Sequence, residues 1–279
     1  MSGTTTRLAA VIGSPVKHSL SPIIHNAAFE ACGVDGVYLS FEVEAGRAAD
    51  AVAAMRLFDW LGLSVTMPHK HEVIGACDLL TETAQALGAV NCLFWRDGQI
   101  VGDNTDGEGL LRGLDNGLGY QVESTNCVVF GAGGAAKAIA RALAEAGADR
   151  VAIINRSPER AEIAAGMAGR AGVVGSQRDL ALADLVVNAT SVGMASTDSS
   201  GDVPFDVALL SPNAILADVI YHPTETPLLA AAAMRGLRCQ NGVPMLVFQA
   251  GAQFERWTGL EAPADVMMAA AQAAISSAP

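Results

Sequence analysis

At 279 residues, 51% of them hydrophobic, the chain has ample length to bury two moderate domains. A formal net charge of -12 excludes a general nucleic-acid binder, because phosphate capture needs clustered Lys and Arg. No apolar run reaches the roughly 18 residues of a bilayer span, and the amino-terminal run, broken at Gly13 and Pro15, is too short for a signal-peptide core. Five scattered cysteines, Cys32, Cys77, Cys92, Cys127 and Cys239, contain no CxxC pair and are odd in number, which predicts reduced thiols in the cytoplasm. The expected partner is a small molecule, with neither nucleic acid nor membrane involved, for a monomer or a homodimer.

Strand-length apolar runs alternate with helical patterns from the start: RLAAVIG, SPIIHNAAFEACG, VYLSFEV, AADAVAAMRLF and WLGLSVTM. That alternation predicts βαβ units and a mostly parallel sheet. In HSLSPIIHN, Ser19 and Ser21 precede a helix with Pro22 at its first position and Gly33 at its end. Ser21 as a cap accounts for one hydroxyl; the pair at a helix amino terminus also makes a small anion site suited to a carboxylate. SVTMPHK runs a strand into a helix expected from Pro68, with Thr66 at the strand end and Lys70 in the first turn. A lysine there opposes the helix dipole, which marks it as functional or merely solvated. Asn91 in GAVN and Asp106 in DNTDG fall at expected strand ends, where open α/β sheets bind ligands. Between them, LFWRDGQIVGDN is a hairpin around Asp97-Gly98.

A second unit opens after GEGLLRGLDNGLG. TNCVVFGAGG is a strand and glycine turn, and RVAIINR, ADLVVNAT and AILADVIY are its following strands. Gly131, Gly133 and Ala136 fit G-x-G-x-x-G/A: a tight turn, backbone free to approach a pyrophosphate, and a small residue where helix meets strand. The next strand ends in Asn155-Arg156-Ser157, with Arg160 one turn on, where an NAD-binding protein usually places an acid. Guanidinium binds a 2′-phosphate, so NADP is favoured over NAD. The fold expected is α/β with two domains: an N-terminal α/β domain over 1–105, completed by C-terminal helices 244–279 that pack back on it, and a Rossmann-type doubly wound domain over 106–243. His69 and His71 lack any metal-ligand spacing, so no metal is expected.

The strings GSPVKHSLSPIIHN, SVTMPHK, GAVN, DNTDG, GAGGAA, NRS, NATSVGM, DVIYHPTETPLL and GVPMLVFQA occur in the order and spacing of shikimate dehydrogenases, and the chain resembles that family over nearly its whole length. The resemblance implies NADPH-dependent, reversible reduction of 3-dehydroshikimate to shikimate in aromatic amino acid (chorismate) biosynthesis, with the residues before the glycine turn forming the substrate half of the cleft. It implies Lys70 and Asp106 as the catalytic pair, and Ser19 and Ser21 as carboxylate ligands with Tyr221 nearby. Thr66, Asn91 and Gln249 would hold ring hydroxyls. Gly131, Ala132, Gly133, Gly134, Ala135, Asn155, Arg156, Ser157 and Arg160 would hold the cofactor, with Thr190, Val219 and Gly242 near its nicotinamide half.

The chain departs from the family at Ser64, where Asn usually precedes V-T-x-P; the hydrogen bond that shapes the pocket there is expected to be shorter or absent. A quinate/shikimate dehydrogenase of broader specificity, with NAD as an option, is the alternative, and relatives acting on amino analogues belong to the same superfamily. A non-catalytic nucleotide-sensing module is the third reading, and it would require loss of the reacting residues.

Overall fold

The computed structural model describes residues 6–195 and 197–277. The chain divides into two compact units, one built from residues up to Thr105 plus those from Val247 onward, the other from Asp106–Leu246.

The first unit runs β1 (Arg7–Gly13), α1 (Ser21–Ala31), β2 (Gly36–Glu42), α2 (Ala48–Leu57), β3 (Gly62–Val65), β4 (Leu79–Leu80), α3 (Glu82–Leu87), β5 (Cys92–Arg96) and β6 (Gln99–Asp103). Its sheet has the order β2-β1-β3-β5-β6-β4. The sheet is mostly parallel, as expected, with the hairpin strand β5 as its antiparallel part: β1 pairs in parallel with β2 and β3 and β4 with β6, while β5 is antiparallel to both β3 and β6. The hairpin forms as expected, with Asp97 and Gly98 at φ 52 and 75 in the left-handed region that a two-residue turn needs. Its register places functional positions together. Ile12 pairs with Val65, Ser64 with Cys92, and Cys92 with Asp103, so the ends of β1, β3 and β6 share one edge with the start of β5. Ile12, Met55, Leu63, Leu93 and Ile100 form the core behind that edge.

The second unit contains α4 (Asp106–Leu118), β7 (Asn126–Phe130), α5 (Gly134–Glu145), β8 (Arg150–Ile154), α6 (Pro158–Gly166), β9 (Gly172–Val174), β10 (Leu185–Asn188), β11 (Ile215–Asp218), α7 (Pro227–Met234) and β12 (Arg238–Gln240). All its strands pair in parallel, in the order β12-β11-β10-β7-β8-β9. This is the doubly wound order, with its reversal between β7 and β10. Along β7, Cys127 and Val129 enter one hydrophobic cluster and Val128 and Phe130 the other. A strand buried on both faces needs that unbroken apolar run.

Helix α8 (Val243–Thr258) starts in the second unit, and its residues from Val247 belong to the first; α9 (Ala264–Ser276) packs along α1. Trp257 donates from Nε1 to Leu93 O at 3.0 Å, and Arg256 pairs with Asp103 at 2.6 Å, which fastens α8 to the hairpin. Trp257 also closes an aromatic stack around His25, whose ring lies 4.4 Å from Tyr38 and 4.9 Å from Trp257 between centroids. Neither His25 nitrogen has a hydrogen-bond partner among the described residues.

Burial pushes the His25 imidazole down to about 3. The native ring therefore refuses a proton that the unfolded chain accepts below about pH 6.5, so this contribution to stability is intact above that pH and is lost as pH falls toward 3. Urea unfolding between about pH 6 and about pH 5 is expected to show a steeper loss for the wild type than for His25→Leu, by about 1 kcal/mol per pH unit. Parallel slopes would contradict this.

Candidate active site

In the first unit, the residues after β1 and β3 are positioned by backbone bonds across the shared edge. Ser19 Oγ accepts from Ser21 N at 3.2 Å. The cap position belongs to Leu20, and Ser21 is already helical, so Ser21 does not cap α1 as expected; the hydroxyl that receives the helix-start amide is that of Ser19. Ser21 is buried beside Tyr38, whose phenol is raised above its ordinary range by burial, against hydrogen bonding from Ser64 and Ser21.

No helix begins at Pro68. Residues 67–71 form a turn, followed by a short 3-10 helix, Glu72–Ala76. The reason is on the backbone: an α-helix would give Lys70 O to the amide of Ile74, but that carbonyl accepts from Val90 N at 2.7 Å. The dipole argument for Lys70 therefore falls, and the lysine is half-buried in a turn held from both sides. His69 N bonds Thr66 O at 3.0 Å, and the buried His69 ring faces Val43 O at 2.8 Å and Glu72 Oε2 at 2.9 Å. Glu72 in turn accepts from Ala48 N at the start of α2, and its carboxyl is held below the ordinary range chiefly by the His69 hydrogen bond. Thr66 N bonds Ile12 O at 2.9 Å, which ties the residue before the turn to β1.

Asn91 directly precedes β5, whose antiparallel direction brings its start beside the end of β3. Its side chain is buried and exchanges bonds with Thr105: Thr105 N donates to Oδ1 at 2.8 Å, and Nδ2 donates to Thr105 Oγ1 at 3.1 Å. Thr105 Oγ1 also donates to Gln249 O at 3.1 Å. The first unit thus brings Thr66, Asn91 and Gln249 to one connected framework, with Lys70 on the turn pinned at Val90 beside it. Asp106 is not at a strand end: β6 stops at Asp103, and Asp106 is the first residue of α4, directly after Thr105.

In the second unit the glycine turn follows β7. Gly131 has φ +107, and its N donates to Ile154 O at the end of β8. A Cβ there would come within 2.8 Å of Ala189 O, so only glycine fits between β7 and β10. At Gly133 and Gly134 a Cβ would meet no atom within 4 Å, which leaves bare backbone at the amino terminus of α5. Ala132 is buried, and Ala135 follows in the first turn of that helix. Such a turn presents N–H groups to a pyrophosphate. Asn155 Nδ2 bonds Ser157 O at 3.1 Å, and Ser157 caps α6 by accepting from Arg160 N. Arg156 and Arg160 are exposed, and no carboxylate pairs with either among the described residues. The donor set fits a phosphorylated nicotinamide dinucleotide.

A polar layer that sequence reasoning missed supports this half. Asn188, fully buried at the end of β10, donates to Asp218 Oδ1 at 3.0 Å and accepts from both Thr190 N and Thr190 Oγ1. Asp218, at the end of β11, also accepts from Thr226 Oγ1 and Ile220 N; burial raises its carboxyl. Val219 N bonds Asn188 O, and a Cβ on Gly242 would overlap Val219 O. Thr190, Val219 and Gly242 are therefore gathered around Asn188. The signal available was a lone polar residue closing each apolar run, LVVN and ILAD. Tyr221 lies half-buried three residues beyond Asp218, its phenol raised by burial.

Three family models match: the shikimate dehydrogenase substrate binding domain over residues 11–93, the shikimate / quinate 5-dehydrogenase over 116–199, and the shikimate 5'-dehydrogenase C-terminal domain over 242–272. A curated relative from Moorella thermoacetica, named shikimate dehydrogenase (NADP(+)), is 42% identical over 273 residues, 94% of this chain and 92% of that protein. The chain belongs to the shikimate dehydrogenase family. The crystal structure of shikimate 5-dehydrogenase from Thermus thermophilus, in complex with NADP(H) and shikimate, matches with a TM-score of 0.88 at 34% identity, covering 96% of this chain and 99% of that one. Quinate dehydrogenase from Corynebacterium glutamicum, in complex with NAD, matches with a TM-score of 0.87 at 32% identity over 96% and 99% of the two chains.

Within this shikimate dehydrogenase family member, the His69 clamp generates a direct expectation. His69→Leu leaves two acceptors without their ring partner and frees the turn that carries Lys70, so urea unfolding should show a loss of about 2 kcal/mol. Initial rates should fall about tenfold in kcat with the KM for NADP unchanged. A fully active, fully stable variant would contradict the role assigned to the clamp.

Proposed function

We propose that the protein catalyses the reversible reduction of 3-dehydroshikimate to shikimate, with Lys70 as the proton-transferring group. The observation that carries this reading is the turn 67–71, which presents a half-buried lysine from a backbone fixed by Val90, Thr66 and His69. The turn Gly131–Ala135 would hold NADPH, with Arg156 and Arg160 serving its 2′-phosphate, and the bound cofactor would supply the hydride.

As negative charge builds on the carbonyl oxygen, a charged Lys70 ammonium stabilises it and then delivers the proton that makes the product hydroxyl. In the oxidative direction a neutral Lys70 accepts the hydroxyl proton. Asp106 acts with Lys70 as the catalytic pair. Ser19 and Ser21, with Tyr221, serve the substrate carboxylate through hydroxyl donors. Thr66, Asn91 and Gln249 serve the ring hydroxyls. We place the enzyme in the cytoplasm, in keeping with five free thiols.

Quinate, or use of NAD, is the second reading, and Ser64 at the family's Asn position is the observation that favours it. Its hydroxyl is neither lost nor directed loosely: it accepts from Tyr38 and donates to Gln253.

Lys70→Ala should lower turnover of shikimate by about a thousandfold while NADP binding, followed by fluorescence titration, stays within about twofold of wild type. Retention of more than about a tenth of the wild-type rate would overturn the assignment of the proton to Lys70.

A further inference from the structure

Ser64 and Gln253 form a buried pair with consequences for Gln249. Tyr38 Oη donates to Ser64 Oγ at 2.7 Å, and Ser64 Oγ donates in turn to Gln253 Oε1. On its other side, Gln253 Nε2 donates to Gln249 Oε1 at 2.9 Å and lies 3.3 Å from both Asn91 O and Thr105 Oγ1. Gln253 is 2% exposed, one turn beyond Gln249 on the same face of α8.

Which end of an amide is nitrogen follows from its partners. Asn91 O is a backbone carbonyl and only accepts, so the end of Gln253 facing it is the N–H end. The opposite end is then the oxygen, which receives the Ser64 proton. A donor aimed at Gln249 requires Gln249 to answer with Oε1, and this turns the Gln249 Nε2 donor to the opposite side of its amide. One backbone carbonyl, one serine and one tyrosine therefore set the orientation of a second amide through Gln253.

We infer that Gln253 is a positioning residue for substrate recognition: through the chain Tyr38, Ser64, Gln253 it holds Gln249 with its donor end committed to the substrate side. Gln253 itself need not touch substrate. This rests on the reading of Gln249 as a ligand for a ring hydroxyl. A hydroxyl or carbonyl oxygen accepts from such a donor, so the fixed amide favours binding without requiring the ligand to reorganise it. Asparagine at position 64 would bring an amide of its own against Gln253, whereas serine supplies a single rotatable hydroxyl that accepts from Tyr38 and donates onward.

The test is a kinetic double-mutant cycle on the full-length enzyme, with shikimate and NADP as substrates. Gln253→Met keeps length and volume but removes the amide. It should raise the KM for shikimate about tenfold, leave kcat within about threefold, and leave the KM for NADP unchanged. In a Gln249→Ala background the same change should alter the shikimate KM by less than about twofold, because its effect passes through Gln249. Ser64→Ala, a smaller perturbation, should raise the KM about threefold and likewise be silent in that background. Equal multiplication of KM in both backgrounds, no effect in either, or a parallel loss in both substrates' KM values would overturn the positioning role. Normal wild-type turnover with such a result leaves the reading of the activity standing, whereas no wild-type turnover of shikimate would overturn both.

Discussion

Strands buried on both faces have no place for a polar side chain except at their ends, and the arrangement of this protein follows from that constraint. In the second unit, β7, β10 and β11 carry apolar residues into clusters on either side of the sheet. The first polar groups appear where the strands stop: Asn188 and Asp218 bond each other, and the glycine turn lies against Ala189. In the first unit β1 behaves the same way, β3 admits Ser64 one residue before its end because Tyr38 and Gln253 bond it, and the antiparallel hairpin adds a second device. Because β5 runs against β3, its beginning meets the end of β3, so Asn91 joins Thr66 and the turn bearing Lys70. Ligand-binding groups collect at these strand ends because the interior rejects unpaired polar atoms.

The same rule explains how rigidly the polar groups are held. Side chains drawn into the edge of the first sheet satisfy donors and acceptors locally, and several of the partners are backbone carbonyls: Val43 O for His69, Gln249 O for Thr105, Asn91 O for Gln253. A backbone carbonyl has one role and one direction, so each such bond fixes an orientation. Gln253 shows how far this reaches, since one carbonyl determines the sense of an amide that in turn determines the sense of another.

Much of this was legible in the chain itself. Periodicity located β1, β2, β7, β8, β10 and β11, the dipeptide Asp97-Gly98 located the hairpin, and the glycine turn and Asn155-Arg156 located the nucleotide half. What failed was anything decided by partners distant in sequence. Pro68 reads as a helix start, yet Lys70 gives its carbonyl to Val90, twenty positions on. Ser21 reads as a cap, yet Leu20 holds the cap position and Ser19 supplies the accepting hydroxyl. Short strands such as β4 and β9 carry too few residues for a pattern and exist because a neighbouring strand offers its edge. Ser64 reads as a lost hydrogen bond and proves to be bonded on both sides, because its partner Gln253 lies on a helix that only tertiary packing brings near.

The central claim is that this scaffold holds a shikimate-specific, NADP-using site. Initial rates of oxidation of shikimate and of quinate, each with NADP and with NAD at matched concentrations, test it most directly. Strong turnover of shikimate with NADP and weak turnover in the other three pairings is the expected result. Comparable or faster turnover of quinate, or a preference for NAD, would contradict it.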